Sequence, residues 1–65
     1  MPKSLFRKPA ILIIEDEPTQ RHILTNQLIS QGYEVVSASN GRDGLALWEK
    51  HPEIRLVVTD LAMRG

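Results

Sequence analysis

The chain has 65 residues, no cysteine, and eight Lys and Arg residues against eight Asp and Glu residues, so its formal net charge is zero. These values exclude a disulfide framework and a thiolate metal site, and they create no net field toward nucleic acid or a membrane surface. With 42% hydrophobic and 25% charged residues, the composition is typical of a soluble globular domain, for which we expect a cytoplasmic location.

The charges are unevenly distributed along the chain. Residues 1–9 contain three basic residues and no acidic one, whereas residues 10–65 contain five basic and eight acidic residues. Residues 1–9 lack the long apolar segment of a signal peptide, and we interpret them as a basic N-terminal extension. Residues 10–65 are the predicted folded domain, in which the position of each acidic residue matters more than the overall charge.

The first predicted elements are a strand and a helix. Residues 10–14 are an unbroken apolar run, which is typical of a strand buried on both faces of a parallel sheet. The run stops at Glu-Asp-Glu-Pro (15–18), where proline and acidic residues favour a helix start. The predicted helix continues to Gln31 with Ile23, Leu24 and Leu28 on one side, and Gly32 is expected to supply a left-handed cap.

The second half repeats this alternation. Residues 33–39 predict a second strand, and Asn40-Gly41 predicts a turn or N-cap before a second helix that ends before Pro52. Gly44 lies inside this helix, where it costs about 1 kcal/mol relative to alanine, so we expect close packing against the sheet. Residues 54–59 predict a third strand, again buried on both faces, that ends at Asp60.

The order strand, helix, strand, helix, strand predicts an α/β fold. Short strands that alternate with helices imply right-handed crossovers and a parallel sheet with helices covering its faces. Ligands of such sheets collect at the carboxyl ends of the strands. There the sequence places Glu15 and Asp16 after the first strand and Asp60 after the third. If those strands are neighbours, three carboxylates converge, and a hard cation such as Mg²⁺ is the natural compensation.

Each acidic element also has a simpler interpretation. A Glu-Asp-Glu run stabilises a helix N-terminus by itself, and Asp60 could cap a following helix. Two unrelated caps need not both terminate apolar strands of one sheet, so the combination favours the cation site. His22 and His51 are interpreted as solvated rather than catalytic, and the sequence contains neither a glycine-rich phosphate loop nor a hydrolase triad pattern.

Four segments of the sequence resemble the response-regulator receiver domain of two-component signalling. They are Ile-Leu-Ile-Ile-Glu-Asp-Glu-Pro (11–18), Gly-Tyr-Glu-Val (32–35), Asn-Gly-Arg-Asp-Gly-Leu (40–45) and Leu-Val-Val-Thr-Asp-Leu-Ala-Met (56–63). The resemblance implies a three-layer, flavodoxin-like parallel sheet. The family's domain has five strands in the order 2-1-3-4-5, so residues 10–65 are expected to be a truncated receiver domain with the order 2-1-3.

The resemblance also assigns roles to four residues. Asp60 resembles the phosphoacceptor, which takes a phosphoryl group from a histidine kinase or phosphotransfer protein. Asp16 resembles the direct Mg²⁺ ligand, Glu15 a ligand that acts mainly through water, and Ala62 the residue whose backbone carbonyl completes the protein's ligands. The first helix, over residues 20–28, is where the family usually docks its kinase.

The resemblance leaves two functions open. The Thr or Ser after the family's fourth strand and the Lys after its fifth have no counterpart in the sequence, and neither does the signalling face. We therefore weigh a phosphoacceptor switch, which is not a multi-turnover enzyme, against an interaction module that works without phosphorylation. The unpaired apolar edge of the third strand is expected to promote poor folding, self-association or exchange with a second copy. No nucleic-acid or membrane binding by this segment is expected.

Overall fold

The computed structural model describes residues 9–59 and shows five elements in the expected order. They are β1 (Ala10–Ile14), α1 (Pro18–Ser30), β2 (Glu34–Ala38), α2 (Gly41–Lys50) and β3 (Ile54–Thr59). The three strands form one parallel sheet in the order β2-β1-β3. This confirms the α/β class, the alternation and the strand order 2-1-3. Neither helix within residues 9–59 has the length and apolar character of a membrane-spanning segment.

Strand β1 is the centre of the core. Its first four residues are buried, and Leu12 and Ile13 are the largest side chains that are almost completely covered. Because successive side chains of a strand point to opposite faces, these two residues belong to different sides of the sheet. The prediction of burial on both faces is therefore confirmed for β1.

The two helices cover opposite faces of the sheet. The chain moves from β1 to β2 on one side and then from β2 across β1 to β3, so right-handed crossovers put α1 and α2 on different faces. On the face of α2, Leu47 and Ile14 pack against a cluster around Leu12. On α1, Leu24 and Leu28 are half-buried, whereas Ile23 is 44% exposed, unlike the single apolar side that the sequence suggested.

The helix ends follow the local sequence. Glu17 is the N-cap of α1 and Pro18 its first residue, where a missing N–H removes no hydrogen bond. Gly32 after α1 has φ of 96°, the left-handed conformation predicted for it. Asn40 is the N-cap of α2, and its side-chain oxygen accepts the Asp43 N–H at 2.8 Å. Each cap satisfies a donor that the helix itself leaves unpaired.

Strand β3 differs from its prediction. Ile54 is buried, but Leu56 is 54% exposed and Val57 is 40% exposed. The physical reason is its position: within residues 9–59, β3 pairs only with β1 and is therefore an edge strand of the sheet. An edge of this kind exposes unpaired backbone donors and acceptors beside apolar surface.

Self-association through this edge stays a prediction. We expect the apparent mass from size-exclusion chromatography with light scattering to rise with protein concentration, and Leu56→Lys to lower it toward the monomer because a charge on an edge strand opposes pairing. Ile29→Lys is the matched control, since Ile29 on α1 is 53% exposed and Leu56 is 54% exposed. A concentration-independent monomer for the unsubstituted chain would contradict the prediction.

Candidate functional site

The three strands end together at one edge of the sheet. Ile14, the last residue of β1, pairs with Ala38 of β2 and with Thr59 of β3. Glu15 is the next residue after Ile14, and Asp60 is the next residue after Thr59 in the sequence. The residue before Glu15 and the residue before Asp60 are therefore paired on adjacent strands. Asp60 and Ala62 themselves lie outside residues 9–59.

Glu15 continues β1 by one residue beyond the ladder. Its backbone N–H donates to the Ala38 carbonyl at 3.0 Å, which keeps it aligned with β2. Its side chain is only 6% exposed, the one charged residue in the buried part of residues 9–59. The carboxylate Oε2 accepts the Glu17 N–H at 3.0 Å. This hydrogen bond folds the carboxylate over the start of the β1–α1 loop.

Glu17 performs a different task from Glu15. Its carboxylate accepts the Gln20 N–H at 2.8 Å, which is the hydrogen bond of an N-cap. The simpler interpretation of the acidic run, stabilisation of a helix start, is therefore correct for Glu17. Asp16 lies between Glu15 and Glu17 with an exposed side chain. Capping of α1 therefore explains Glu17 but explains neither Glu15 nor Asp16.

Arg21 is a residue of this site that the sequence analysis missed. From the first turns of α1 its Nη1 donates to the Glu15 carbonyl at 2.8 Å. Its backbone N–H donates to the Glu17 carbonyl at 2.9 Å, which is the first i to i−4 hydrogen bond of α1. The sequence signal is only the spacing of Arg21 from Glu15, because a side chain on the first turns of a helix can fold back over the preceding loop.

The donor set at this edge fits a hard cation. Glu15 and Asp16 provide carboxylate oxygens without nitrogen or sulfur ligands, and Mg²⁺ in proteins is typically held by one or two carboxylates together with water and phosphate oxygens. Within residues 9–59, no three His, Cys, Asp or Glu side chains form a group that could hold a metal ion. Of the four predicted ligands, two lie in this part of the chain, and the other two follow β3 in the sequence.

Within residues 9–59, both histidines bond to side chains outside the acidic residues 15–17. His22 is exposed on α1 and contacts the Asn26 side chain at 3.1 Å, in keeping with the solvated interpretation. His51 is half-buried between α2 and β3, and its Nδ1 lies 3.0 Å from a Glu53 carboxylate oxygen. β3 starts directly after Glu53 and runs toward the edge of the sheet where Glu15 lies. The His51–Glu53 pair therefore lies at the opposite edge of the sheet.

Comparison with known proteins identifies one family. The model of the response regulator receiver domain matches residues 11–65. A probable transcriptional regulator ycf27 of Galdieria sulphuraria is 48% identical over 61 residues, covering 92% of this chain and 23% of the relative. Protein PilH of Pseudomonas aeruginosa is 41% identical over 56 residues, covering 85% of this chain and 45% of PilH.

This chain covers a smaller share of a third relative. The transcriptional regulatory protein GlrR of Escherichia coli K12 is 39% identical over 60 residues, covering 91% of this chain and 13% of GlrR. The chain spans about a quarter of the length of the ycf27 proteins that it matches. No solved structure matches the chain significantly.

Proposed function

Because the chain belongs to the family of response regulator receiver domains, we propose that it accepts a phosphoryl group on Asp60 from a sensor histidine kinase or a phosphotransfer protein. The phosphorylated state would change the output of the protein that contains it. The proposal concerns a signalling domain that takes up one phosphoryl group per cycle, not a multi-turnover enzyme.

The sheet register is the observation that carries the proposal. Ile14 and Thr59 are paired across β1 and β3, so the strand that precedes Glu15 and the strand that precedes Asp60 run side by side. The matched residues 11–65 include all four positions that the resemblance assigns, namely Glu15, Asp16, Asp60 and Ala62. Sites at the carboxyl ends of parallel strands are the usual ligand positions of such sheets.

The proposed transfer forms one bond and breaks one bond. A carboxylate oxygen of Asp60 attacks the phosphorus of the donor phosphohistidine, and the new P–O bond makes an acyl phosphate. The P–N bond to the donor imidazole breaks, its electron pair stays on the ring nitrogen, and that nitrogen takes a proton from solvent to give neutral histidine. An in-line approach of a carboxylate to a charged phosphoryl group requires local compensation of negative charge.

The chain's acidic residues would hold the compensating cation. We propose that Mg²⁺ binds the carboxylates of Asp16 and Asp60 and the backbone carbonyl of Ala62 directly, and the Glu15 carboxylate through water. When bound, Mg²⁺ supplies positive charge that offsets the repulsion between the phosphoryl oxygens and the acidic cluster. Glu15 would contribute through water, in keeping with a carboxylate that already accepts the Glu17 N–H.

The Mg²⁺ requirement is tested with a small phosphoryl donor. We expect incubation with acetyl phosphate to add one phosphoryl group to the intact mass of the chain in the presence of Mg²⁺ and none in its absence. Asp16→Asn is expected to slow this labelling by about tenfold or more, because it removes a charged ligand of the cation.

Asp43→Asn is the matched control for that substitution. Asp43 is exposed at the start of α2. Its backbone N–H donates to the Asn40 side chain, and the Asp43→Asn variant retains this N–H. We expect it to be labelled like the unsubstituted chain. Labelling that proceeds equally without Mg²⁺, or an Asp16→Asn variant as fast as Asp43→Asn, would contradict the proposed cation site.

The exposed apolar side chains of β3 favour a second candidate, an interaction module that works without phosphorylation. Leu56 and Val57 both exceed one third exposure on an edge that pairs with β1 alone within residues 9–59. Absence of labelling in a folded chain, together with concentration-dependent association that Leu56→Lys abolishes, would support this candidate over the phosphoacceptor.

A further inference from the structure

We propose that Arg21 is a positioning residue that fixes the loop carrying Glu15 and Asp16 for cation binding. The inference rests on the proposed function, because it assigns a role in the same Mg²⁺ site. The observation that supports this role is the hydrogen bond from Arg21 Nη1 to the Glu15 carbonyl at 2.8 Å. Arg21 itself is not a cation ligand and does not touch the reacting atoms.

The end of the sheet ladder explains why Glu15 needs this donor. In a strand, the N–H and C=O of one residue point to the same neighbouring strand. The Glu15 N–H is bonded to Ala38 of β2, and Ala38 is the last residue of β2. The ladder therefore offers no further donor to the Glu15 carbonyl. An unpaired backbone carbonyl in a covered position is costly, and the Arg21 guanidinium removes that cost.

Four hydrogen bonds close the segment from residue 15 to residue 21. Arg21 Nη1 and Arg21 N–H bind the carbonyls of Glu15 and Glu17, respectively. The Glu15 carboxylate accepts the Glu17 N–H, and the Glu17 carboxylate accepts the Gln20 N–H. Asp16 thus lies between two residues whose backbones are each held by Arg21. Loss of the guanidinium would remove the hydrogen bond to the Glu15 carbonyl and leave the three hydrogen bonds of Glu17 in place.

Helix stability does not account for an arginine at this position. Cations are unfavourable near a helix N-terminus, where the macrodipole favours negative charge. The first turn of α1 contains no acidic residue, so no acidic neighbour within that turn offsets the positive charge of Arg21. The hydrogen bond from the guanidinium to the Glu15 carbonyl supplies the compensation. A planar guanidinium also fixes direction better than an ammonium group.

The test separates positioning from charge. Arg21→Gln keeps helix propensity but removes the charge, and its shorter side chain does not reach the Glu15 carbonyl. Loss of the Arg21 charge favours Mg²⁺ binding because it removes a Coulomb repulsion. Release of the loop weakens Mg²⁺ binding. High salt isolates the second effect, because the screening length falls to about 3 Å at 1 M ionic strength. Mg²⁺ dissociation constants are measured by NMR titration at low and high KCl, with the Glu17 amide proton as a local reporter.

We expect Arg21→Gln to bind Mg²⁺ about tenfold more weakly than the unsubstituted chain at 1 M KCl, as is typical when a residue that orients a ligand is lost. The difference should be smaller at low salt, and the Glu17 amide proton should shift upfield in the cation-free state. Arg55→Gln is the matched control, since Arg55 lies at the other end of β3. It should bind Mg²⁺ like the parent at high salt.

Arg21→Lys keeps the charge without the planar fork and provides a second variant. We expect its Mg²⁺ affinity to lie between those of the parent and Arg21→Gln at 1 M KCl, where the charge difference is screened. Arg21→Gln binding as tightly as the parent at 1 M KCl would overturn the positioning role and leave the proposed function intact. A folded parent chain that binds no Mg²⁺ would instead overturn the proposed site, and this role of Arg21 with it.

Discussion

Asp60→Asn should take up no phosphoryl group from acetyl phosphate or from a phosphorylated donor under conditions that label the unsubstituted chain completely. The amide oxygen of asparagine is neutral and much less nucleophilic than a carboxylate, and it cannot give an acyl phosphate. The substitution also changes little in volume, so the loss would report chemistry rather than packing. Intact mass after incubation with Mg²⁺ and donor is the primary measurement.

The neighbouring hydroxyl is the most informative control for this experiment. Thr59 is the last residue of β3, its side chain is exposed, and it pairs with Ile14 at the edge of the candidate site. Thr59→Val removes the hydroxyl and retains a β-branched shape suited to a strand. We expect this variant to be labelled as fully as the parent, and hydroxylamine to remove the label, as it does from an acyl phosphate but not from a phosphoester. Labelling of Asp60→Asn, or a label resistant to hydroxylamine, would contradict the assignment of the phosphoacceptor.

The sequence predicted the fold where local and long-range preferences agree. The apolar run of β1 is long enough for a strand and too uniform for a surface element, and it became the buried centre of the sheet. Asn40 and Gly32 were predicted from their local conformational preferences, and both hold the predicted positions. The apolar β3 run satisfied the same rule as β1, but burial of a strand also requires neighbours on both sides. Sequence pattern alone does not specify those neighbours.

The candidate site was predicted only in part, for a related reason. The predicted strand ends placed Glu15 and Asp16 directly after β1, at the edge where the three strands end together, because the register of a parallel sheet follows from its hydrophobic runs. Periodicity could not distinguish Glu17, which caps α1, from Glu15, which folds inward. Arg21 was missed because its function depends on a side chain that reaches back to a backbone carbonyl. Such a contact depends on three-dimensional loop geometry and leaves no pattern in the apolar residues.

Gly44→Ala is expected to destabilise the chain, against the usual gain from alanine in a helix. A Cβ at Gly44 would lie 2.5 Å from Ile14 Cδ1 and 2.8 Å from Ile14 Cγ1, closer than real Cβ atoms approach. Rotation about χ2 of Ile14 can move Cδ1 but not Cγ1, and χ1 of a β-branched residue is restricted, so relief requires a less favourable Ile14 rotamer or a shift of β1 or α2. Such overpacking costs about 1–3 kcal/mol, and alanine returns about 1 kcal/mol of helix propensity. We therefore expect the free energy of unfolding to fall by about 1 kcal/mol in urea denaturation.

Gly41→Ala provides the matched control within the same helix. No heavy atom lies within 4 Å of a Cβ at Gly41, so alanine there should raise the free energy of unfolding by about 0.5 kcal/mol through lower unfolded-chain entropy. The two alanine variants should thus differ in sign although they carry the same substitution. Equal effects of the two would show that close packing at Gly44 is not what holds α2 against β1.

A double-mutant cycle with Ile14→Val assigns the cost of Gly44→Ala to one contact. Valine lacks the Cδ1 atom that a Cβ at Gly44 would approach most closely. Ile14→Val alone should cost about 1 kcal/mol, but in the Gly44→Ala background it should cost almost nothing, which gives a coupling of about 1 kcal/mol. Additive effects would place the strain elsewhere. Because Ile14 directly precedes Glu15, we also expect Gly44→Ala to broaden the Glu15 and Asp16 amide signals and Ile14→Val to sharpen them again in that background.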